Sequence, residues 1–236
     1  MTEATVRGQA DGPLTPKGRG EARQIGEDFA RKGGLSCLYL STAKRAKETA
    51  DYLVKANPST DLETPSHDIL SWSLGDLEGE PTVEAQPKLA AFIKYLPDVA
   101  PPGKSPLSGK RGESFDDFRW RALPYIGKQM AEWNANKKLK LGILTHHRVV
   151  RLLMAWVKGG LSPFMDVDTA DMSREYEAGR PGSVWCFRPT GTGRLWSMTP
   201  VNMASEGKLE PAVYIVRHCS TRLNAGSDTG LHASHS

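Results

Sequence analysis

Three short apolar runs in this chain each stop at basic residues, and this pattern narrows the fold more than any other. Val213-Tyr214-Ile215-Val216 ends at Arg217-His218. Leu38-Tyr39-Leu40 ends at Ser41 and, a few residues on, Arg45. Leu141-Gly142-Ile143-Leu144 ends at Thr145-His146-His147-Arg148. Continuous apolar runs of this length suit strands buried on both faces, the pattern of parallel sheets. In an open α/β sheet, ligands sit beyond the carboxyl ends of the strands. Three such ends carrying arginine and histidine form one electropositive site if the strands are neighbours.

The bulk numbers leave room for this and exclude several classes. At 236 residues, with 39% hydrophobic and 25% charged residues, the chain can bury a full core as one α/β domain. The net charge of +4 comes from 31 basic and 27 acidic residues interspersed along the chain. No clustered basic stripe of the kind nucleic acids select is present. No run approaches the ~18 apolar residues of a membrane span. The start, MTEATVRGQADG, lacks the apolar core of a secretion signal. The three cysteines, Cys37, Cys186 and Cys219, show no metal spacing, and Cys37 and Cys186 read as buried thiols. The expectation is a cytoplasmic protein with no nucleic-acid or membrane partner; a homo-oligomer is compatible with the sequence.

Along the chain, residues 13–33 read as a helix capped by Thr15, with Pro16 at its first position and Gly33-Gly34 as its stop. A strand at 36–40 and a helix from Ala43 to Lys55 follow, ended by Asn57-Pro58. Residues 58–81 read as irregular and 82–97 as helical. Residues 98–112 (VAPPGKSPLSGKRGE) read as a mobile, lid-like loop. Ser114 caps a long helix expected to turn Phe115, Phe118, Trp120, Leu123 and Ile126 inward. A strand at 140–145, a helix from Arg148 to about Lys158 and an irregular stretch at 160–182 come next. Val184–Phe187 and Leu195–Met198 form an expected hairpin around Thr190-Gly191-Thr192-Gly193. A polar linker, 202–208, leads to the last strand, Ala212 to Val216. Residues 225–236 are expected to be disordered.

Cleaving a phosphate monoester requires a nucleophile or activated water, donors for the phosphoryl oxygens and an acid for the leaving oxygen. A neutral imidazole can be that nucleophile. Arginine forks match phosphate oxygens, so no metal and no cofactor is required. The residues now carry a resemblance. Arg217-His218-Cys219-Ser220-Thr221-Arg222-Leu223-Asn224 resembles the Arg-His-Gly-Glu-Thr-x-x-Asn signature of the histidine phosphatase, or phosphoglycerate-mutase-like, superfamily. Gly8 to Thr15 with Gly18, Glu21 and Ala22 resembles that family's next segment. Ser41 to Ala50 resembles its Ser-x-x-x-Arg-Ala-x-x-Thr-Ala stretch. Leu74-Gly75-Asp76-Leu77-Glu78-Gly79 resembles its Phe-Gly-x-Trp-Glu-Gly loop. Gly112-Glu113-Ser114 matches a family helix start. Thr145-His146 with Val149-Val150-Arg151 resembles Ser-His-Gly-Gly-Val-Ile-Arg. The motifs span nearly the whole chain.

Their order differs from the family's, where the Arg-His strand comes first. Moving residues 203–224 ahead of residue 5 restores it, so the chain resembles a circularly permuted member. The resemblance implies a three-layer α/β/α sandwich with a mostly parallel central sheet. It forms one domain over 1–224, in which 203–224 supply the first strand of the family order, with a cap from 58–112 and 160–182. It implies His218 as the nucleophile that becomes phosphohistidine, with Arg217, Arg45 and His146 holding the phosphate. Asn224 is an expected further donor, and His147, which with Arg148 stands in place of two glycines, an expected substrate contact. Cys219 stands where the family has glycine. A tyrosine-phosphatase loop would need arginine at 225, where Ala225 stands. Ser71 occupies the position of the family's proton-donating glutamate. Asp76 is the expected substitute, with Glu78 and Glu113 as alternatives and Glu113 also expected at the substrate. The reading is a metal-independent phosphatase acting on a small phosphorylated substrate. The alternatives are mutase-type transfer to a second hydroxyl, and a phospholigand-binding module that has lost turnover.

Overall fold

A computed structural model describes residues 5–162, 166–167, 180–190 and 195–221. Its core is a six-stranded mixed sheet in the order β2-β1-β3-β6-β4-β5. The strands are β1 (Cys37–Leu40), β2 (Asp61–Leu62), β3 (Lys140–Thr145), β4 (Val184–Thr190), β5 (Leu195–Pro200) and β6 (Ala212–Arg217). Strands β2, β1, β3 and β6 run parallel. The β4–β5 hairpin adds the antiparallel side, with β4 on β6. Among the described residues five α-helices flank the sheet: α1 (Pro16–Arg31), α2 (Lys44–Ala56), α3 (Thr82–Lys94), α4 (Phe115–Ala135) and α5 (His147–Lys158).

Alternation within β6 separates two cores. Val213 and Ile215 pack with Phe118, Leu123, Ile126, Val149 and Leu153, on the side of α3, α4 and α5. Ala212, Tyr214 and Val216 pack with Ile25, Phe29, Ala46 and Leu53, on the side of α1 and α2. Both strand faces are therefore buried, which is why the sequence reads as an unbroken apolar run rather than an alternating one. Tyr214 meets Phe29 edge to face at 6.4 Å.

The helix ends follow their local chemistry. Thr15 accepts from the Gly18 N–H at 3.0 Å, and Pro16 opens α1. Gly33 and Gly34 stop α1 at φ +91° and +68°, where a side chain would be strained. Ser114 accepts from the Asp117 N–H at 3.0 Å.

Four expectations change. Trp120 is 49% exposed, because it lies two residues from buried Phe118 and so on the opposite side of α4. Cys186, paired with Tyr214 of β6, packs against the core on the α1 and α2 side but is only half-buried; Cys37 is buried as expected. Residues 61–62 form a short strand, and Gly75–Leu77 a 3-10 turn, within the stretch read as irregular. The 98–112 loop is tied down: Ser105 and Ser108 hydroxyls donate to Glu78, and the Asp76 N–H to the Pro102 carbonyl. Most of 160–182, the hairpin tip at 191–194 and the segment 225–236 lie outside the described residues.

Candidate active site at the strand ends

The strand register brings the basic ends together. Leu40 pairs with Leu144, and Thr145 with Arg217. Ser41, His146 and Arg217-His218 therefore leave the sheet on one rim. The His218 N–H donates to the Thr145 carbonyl at 3.1 Å, fixing the chain just past β6. Arg45 stands in the first turn of α2, and His146 caps α5.

Arg45 organises the centre. Its Nε–H donates to His218 Nε2 at 3.1 Å and its Nη2–H to His146 Nδ1 at 3.0 Å. Its Nη1–H groups reach the Ala10 carbonyl at 2.7 Å and Asp11 Oδ1 at 3.1 Å. A guanidinium only donates, so both imidazole nitrogens facing it are bare acceptors. The partners then assign both tautomers. His218 carries its proton on Nδ1 and donates it to the Cys219 carbonyl at 2.8 Å. His146 carries its proton on Nε2, 2.6 Å from Ser41 Oγ. The two rings lie 5.0 Å apart.

The electrostatics agree with neutral rings. Burial pushes both imidazoles well below their ordinary range; for His218 the Arg45 and Arg217 charges add to it, for His146 those of Arg45 and His218. Burial also lowers Arg45, against the opposing pull of Asp11 and Glu78. His218 Nε2 is thus an unprotonated lone pair among fixed cations. That is the state a nucleophilic imidazole needs.

The surrounding motif residues have physical reasons. A Cβ at Gly18 would fall 2.0 Å from the Ser220 carbonyl. Glu21 accepts from the Ser220 N–H at 2.8 Å and from its hydroxyl at 2.9 Å, tying α1 to the chain after His218. Thr49 receives the Cys219 N–H at 3.4 Å. Cys219 is itself buried, and burial raises its thiol to about 12, an inert packing group.

The other expected site residues divide. Arg217 is half-buried beside His218 and lowers its pKa. His147 is half-buried in the first turn of α5. Asp76 does not reach the imidazoles: it is exposed in the 3-10 turn, against Gly103 of the 98–112 loop. The reason is Gly75, whose φ of +57° reverses the chain just before it. Glu113 is also taken elsewhere. It accepts from the Ser73 N–H at 2.8 Å and from Arg121 Nε at 2.9 Å. Arg121 in turn donates to the carbonyls of Asp68, Leu70 and Ser71, so the pair braces the 67–73 segment. Glu78 is fully buried and accepts from the N–H groups of Gln9 and Leu74 and the hydroxyls of Ser105 and Ser108. Asn224 lies outside the described residues.

Arg7 was missed by the sequence reading. Its guanidinium is lowered to about 10, chiefly by burial and then by Arg217 and Arg45, so it sits among the site's cations. The only sequence signal was an arginine just ahead of the Gly8–Thr15 motif. Among the described residues no group of histidine, cysteine, aspartate or glutamate side chains could hold a metal ion.

A fold with paired imidazoles and arginines at the carboxyl ends of a parallel sheet defines a phosphoryl-handling class. The chain belongs to the histidine phosphatase superfamily (branch 1), whose family model matches residues 1–174. It is 30% identical over 158 residues to phosphoglycerate mutase-like protein 4 of Arabidopsis thaliana; the match spans 64% of this chain and 63% of that protein. Its fold is similar to that of a mycobacterial glucosyl-3-phosphoglycerate phosphatase solved with inorganic phosphate (TM-score 0.59, 20% identity, 86% of this chain and 94% of that one). It is similar also to the alpha-ribazole phosphatase of Shigella flexneri (TM-score 0.57, 16% identity, 87% and 92%).

Proposed function

We propose that this protein hydrolyses small phosphate monoesters, without a metal, through a phosphohistidine on Nε2 of His218. The observation that carries the reading is the bare Nε2 lone pair, held by the Nδ1–H bond to the Cys219 carbonyl and faced by Arg45. The lone pair forms the N–P bond as the ester P–O bond breaks, and the leaving oxygen departs with the bonding pair and takes its proton from solvent. Arg45 and Arg217 carry the charge on the phosphoryl oxygens, and His146 joins them as the anion draws a proton onto its Nδ1, the nitrogen that faces Arg45. Water then attacks phosphorus, the N–P bond breaks, and inorganic phosphate leaves with the lone pair restored.

Ser71 stands at the family's acid position, and a serine hydroxyl releases no proton at neutral pH. Asp76 and Glu113 are drawn away from His218, and the oxygens of Glu78 are filled by four donors. Esters whose leaving oxygen is weakly basic, such as aryl phosphates, are therefore the favoured substrates. The same serine supports a second reading, a module that binds phospholigands without turnover. The cysteines are free thiols, which fits the reducing cytoplasm, and cell fractionation checks that placement. No helix among the described residues is long and apolar enough to cross a membrane.

The test is phosphate release from p-nitrophenyl phosphate at pH 5 to 8 with EDTA present, for the native protein and His218→Ala. Turnover should survive EDTA and fall by at least about 10⁴-fold in the variant, as when other enzymes lose a nucleophile. Glycerol phosphate should react far more slowly than the aryl ester. A folded native protein that binds phosphate but turns over neither ester would move the assignment to the binding module. Phosphate passed to an added alcohol in preference to water would move it to mutase-type transfer.

A further inference from the structure

The central imidazoles and Arg45 have their hydrogen bonds satisfied within the protein, but two neighbouring basic side chains do not. Among the described residues the Arg7 guanidinium makes no hydrogen bond and no ion pair, although its Nε is fully buried; its backbone carbonyl accepts from the Ala10 N–H at 2.8 Å. His147, half-buried, likewise makes no side-chain hydrogen bond. The two reach the same place from opposite ends of the fold. Arg7 opens the 7–12 loop, whose Ala10 carbonyl and Asp11 carboxylate hold Arg45. His147 follows His146 directly, two residues beyond Thr145, the β3 partner of Arg217. His147 feels the charges of Arg217 and Arg7, and Arg7 those of Arg217 and Arg45.

Packing a third guanidinium against Arg217 and Arg45 costs free energy through desolvation and like-charge repulsion. The phosphate on His218 is already served by Arg45, Arg217 and His146. Nearby carboxylates do not offset the surplus: Asp11 is engaged by Arg45 and by the Lys44 and Gly12 N–H groups, and Glu78 by its four donors. An unpartnered, partly buried guanidinium beside an unpartnered imidazole is a built receptor for an anion.

We propose that Arg7 and His147 form a second anionic subsite beside His218, and that the substrate is a phosphate monoester carrying a further carboxylate or phosphate on its alcohol portion. This rests on the phosphate-on-His218 reading. The second anion accepts from the Arg7 fork and from a His147 N–H, and its charge relieves the crowding of Arg7 against Arg217 and Arg45. It also fixes the ester's orientation, so the group acts on selectivity rather than on the N–P bond.

The experiment compares phenyl phosphate with 3-carboxyphenyl phosphate, whose leaving phenols are of similar basicity. The native protein should prefer the carboxylated ester in kcat/KM by about 10- to 100-fold, the worth of one or two charged hydrogen bonds. Arg7→Gln should collapse that ratio toward unity, Arg7→Lys should keep part of it, and His147→Gln should lower it by a smaller factor. Calorimetric Kd values for the matching non-hydrolysable phosphonates should show the same ratios. Those Kd values separate the two readings: no turnover with an Arg7-dependent preference in Kd sinks hydrolysis and keeps the subsite. No preference in the native protein, in rate or in Kd, overturns the subsite. An Arg7→Gln variant that weakens both ligands equally also overturns it, and would assign Arg7 to the transferred phosphate.

Discussion

The strand-end floor of the site and the loops around it both bury polar groups, yet they surround them with opposite partners. On the floor, His146 and His218 sit among arginines with bare nitrogens turned to Arg45, so burial and like charge keep them neutral. On the loop side, Glu78 is equally buried but receives two N–H and two hydroxyl donors. Glu113 is matched by Arg121 and the Ser73 N–H. Burial alone therefore decides nothing; the partners a buried group finds decide what it can offer a ligand. The functional consequence is a division of labour. The floor offers lone pairs and cations to a phosphate, while the carboxylates of the loop side are consumed in holding the 7–12, 67–78 and 98–112 segments together.

Acid should break the comparison most severely, and on the floor first. A histidine depressed in the fold but ordinary in the unfolded chain binds more protons when unfolded. Stability is therefore complete above about pH 6.5 and is lost as pH falls below it. For His146 and His218 together the loss reaches about 3 kcal/mol at pH 5.5, or about 6–12 °C in Tm for a chain of this size. Thermal unfolding at pH 7.5 and 5.5 measures it. A double variant, His146→Gln with His218→Gln, should flatten the slope between those values. Saturating vanadate should restore part of the loss, because an anion beside the rings favours their protonated form. A native Tm unchanged between the two pH values would show that the rings are not held neutral.

The loop side should break next, through Glu78→Gln. The amide keeps one acceptor but turns an NH2 toward groups that are themselves donors, leaving at least one of them unsatisfied. A cost of about 2 kcal/mol is expected, about 4–8 °C in Tm. Because Gln9 belongs to the loop that holds Arg45, KM should rise more than kcat falls. A variant as stable as the native protein would show that the donors find other acceptors. Equal damage to kcat would place Glu78 in the chemistry itself.

The floor was legible in the sequence and the loop side was not, for a physical reason. Strand ends announce themselves: an apolar run specifies where the strand stops, and the next residue then has a defined position, as with His218 and His146. Thr15 and Ser114 were legible for a similar reason, since a cap is a local, one-turn event. Asp76 and Glu113 were read as near the chemistry because they flank motif glycines. Their destinations depend on the backbone reversal at Gly75 and on Arg121, which no local pattern encodes. Trp120 was recoverable, since helical spacing from Phe118 puts it on the outer face. Arg7 was not, because its neighbours Arg217 and Arg45 come from distant parts of the chain.

The smallest effect is expected from rearranging the chain. We propose that the motif order reflects circular permutation. Three observations support it: β6 lies centrally and parallel to β3, Thr221 bridges to Leu14, and the Ser220 carbonyl receives the Thr15 N–H at 3.1 Å. The end of the β6 segment thus already lies beside the start of α1. A chain running 203–224 and then 5–202 asks for a new junction there and a new break at the exposed 202–208 linker. The break frees carbonyls of Met203, Ser205 and Gly207 that Arg31 and Lys32 now hold. These surface bonds are worth on the order of 1–2 kcal/mol together. The rearranged protein should therefore fold with an unchanged circular dichroism spectrum, a Tm lower by a few degrees, and the same His218-dependent chemistry. Both sides of the pocket are assembled from contacts that chain order does not alter, so loss of folding on rearrangement would show that the present connectivity, and not the contact set, holds β6 in the centre of the sheet.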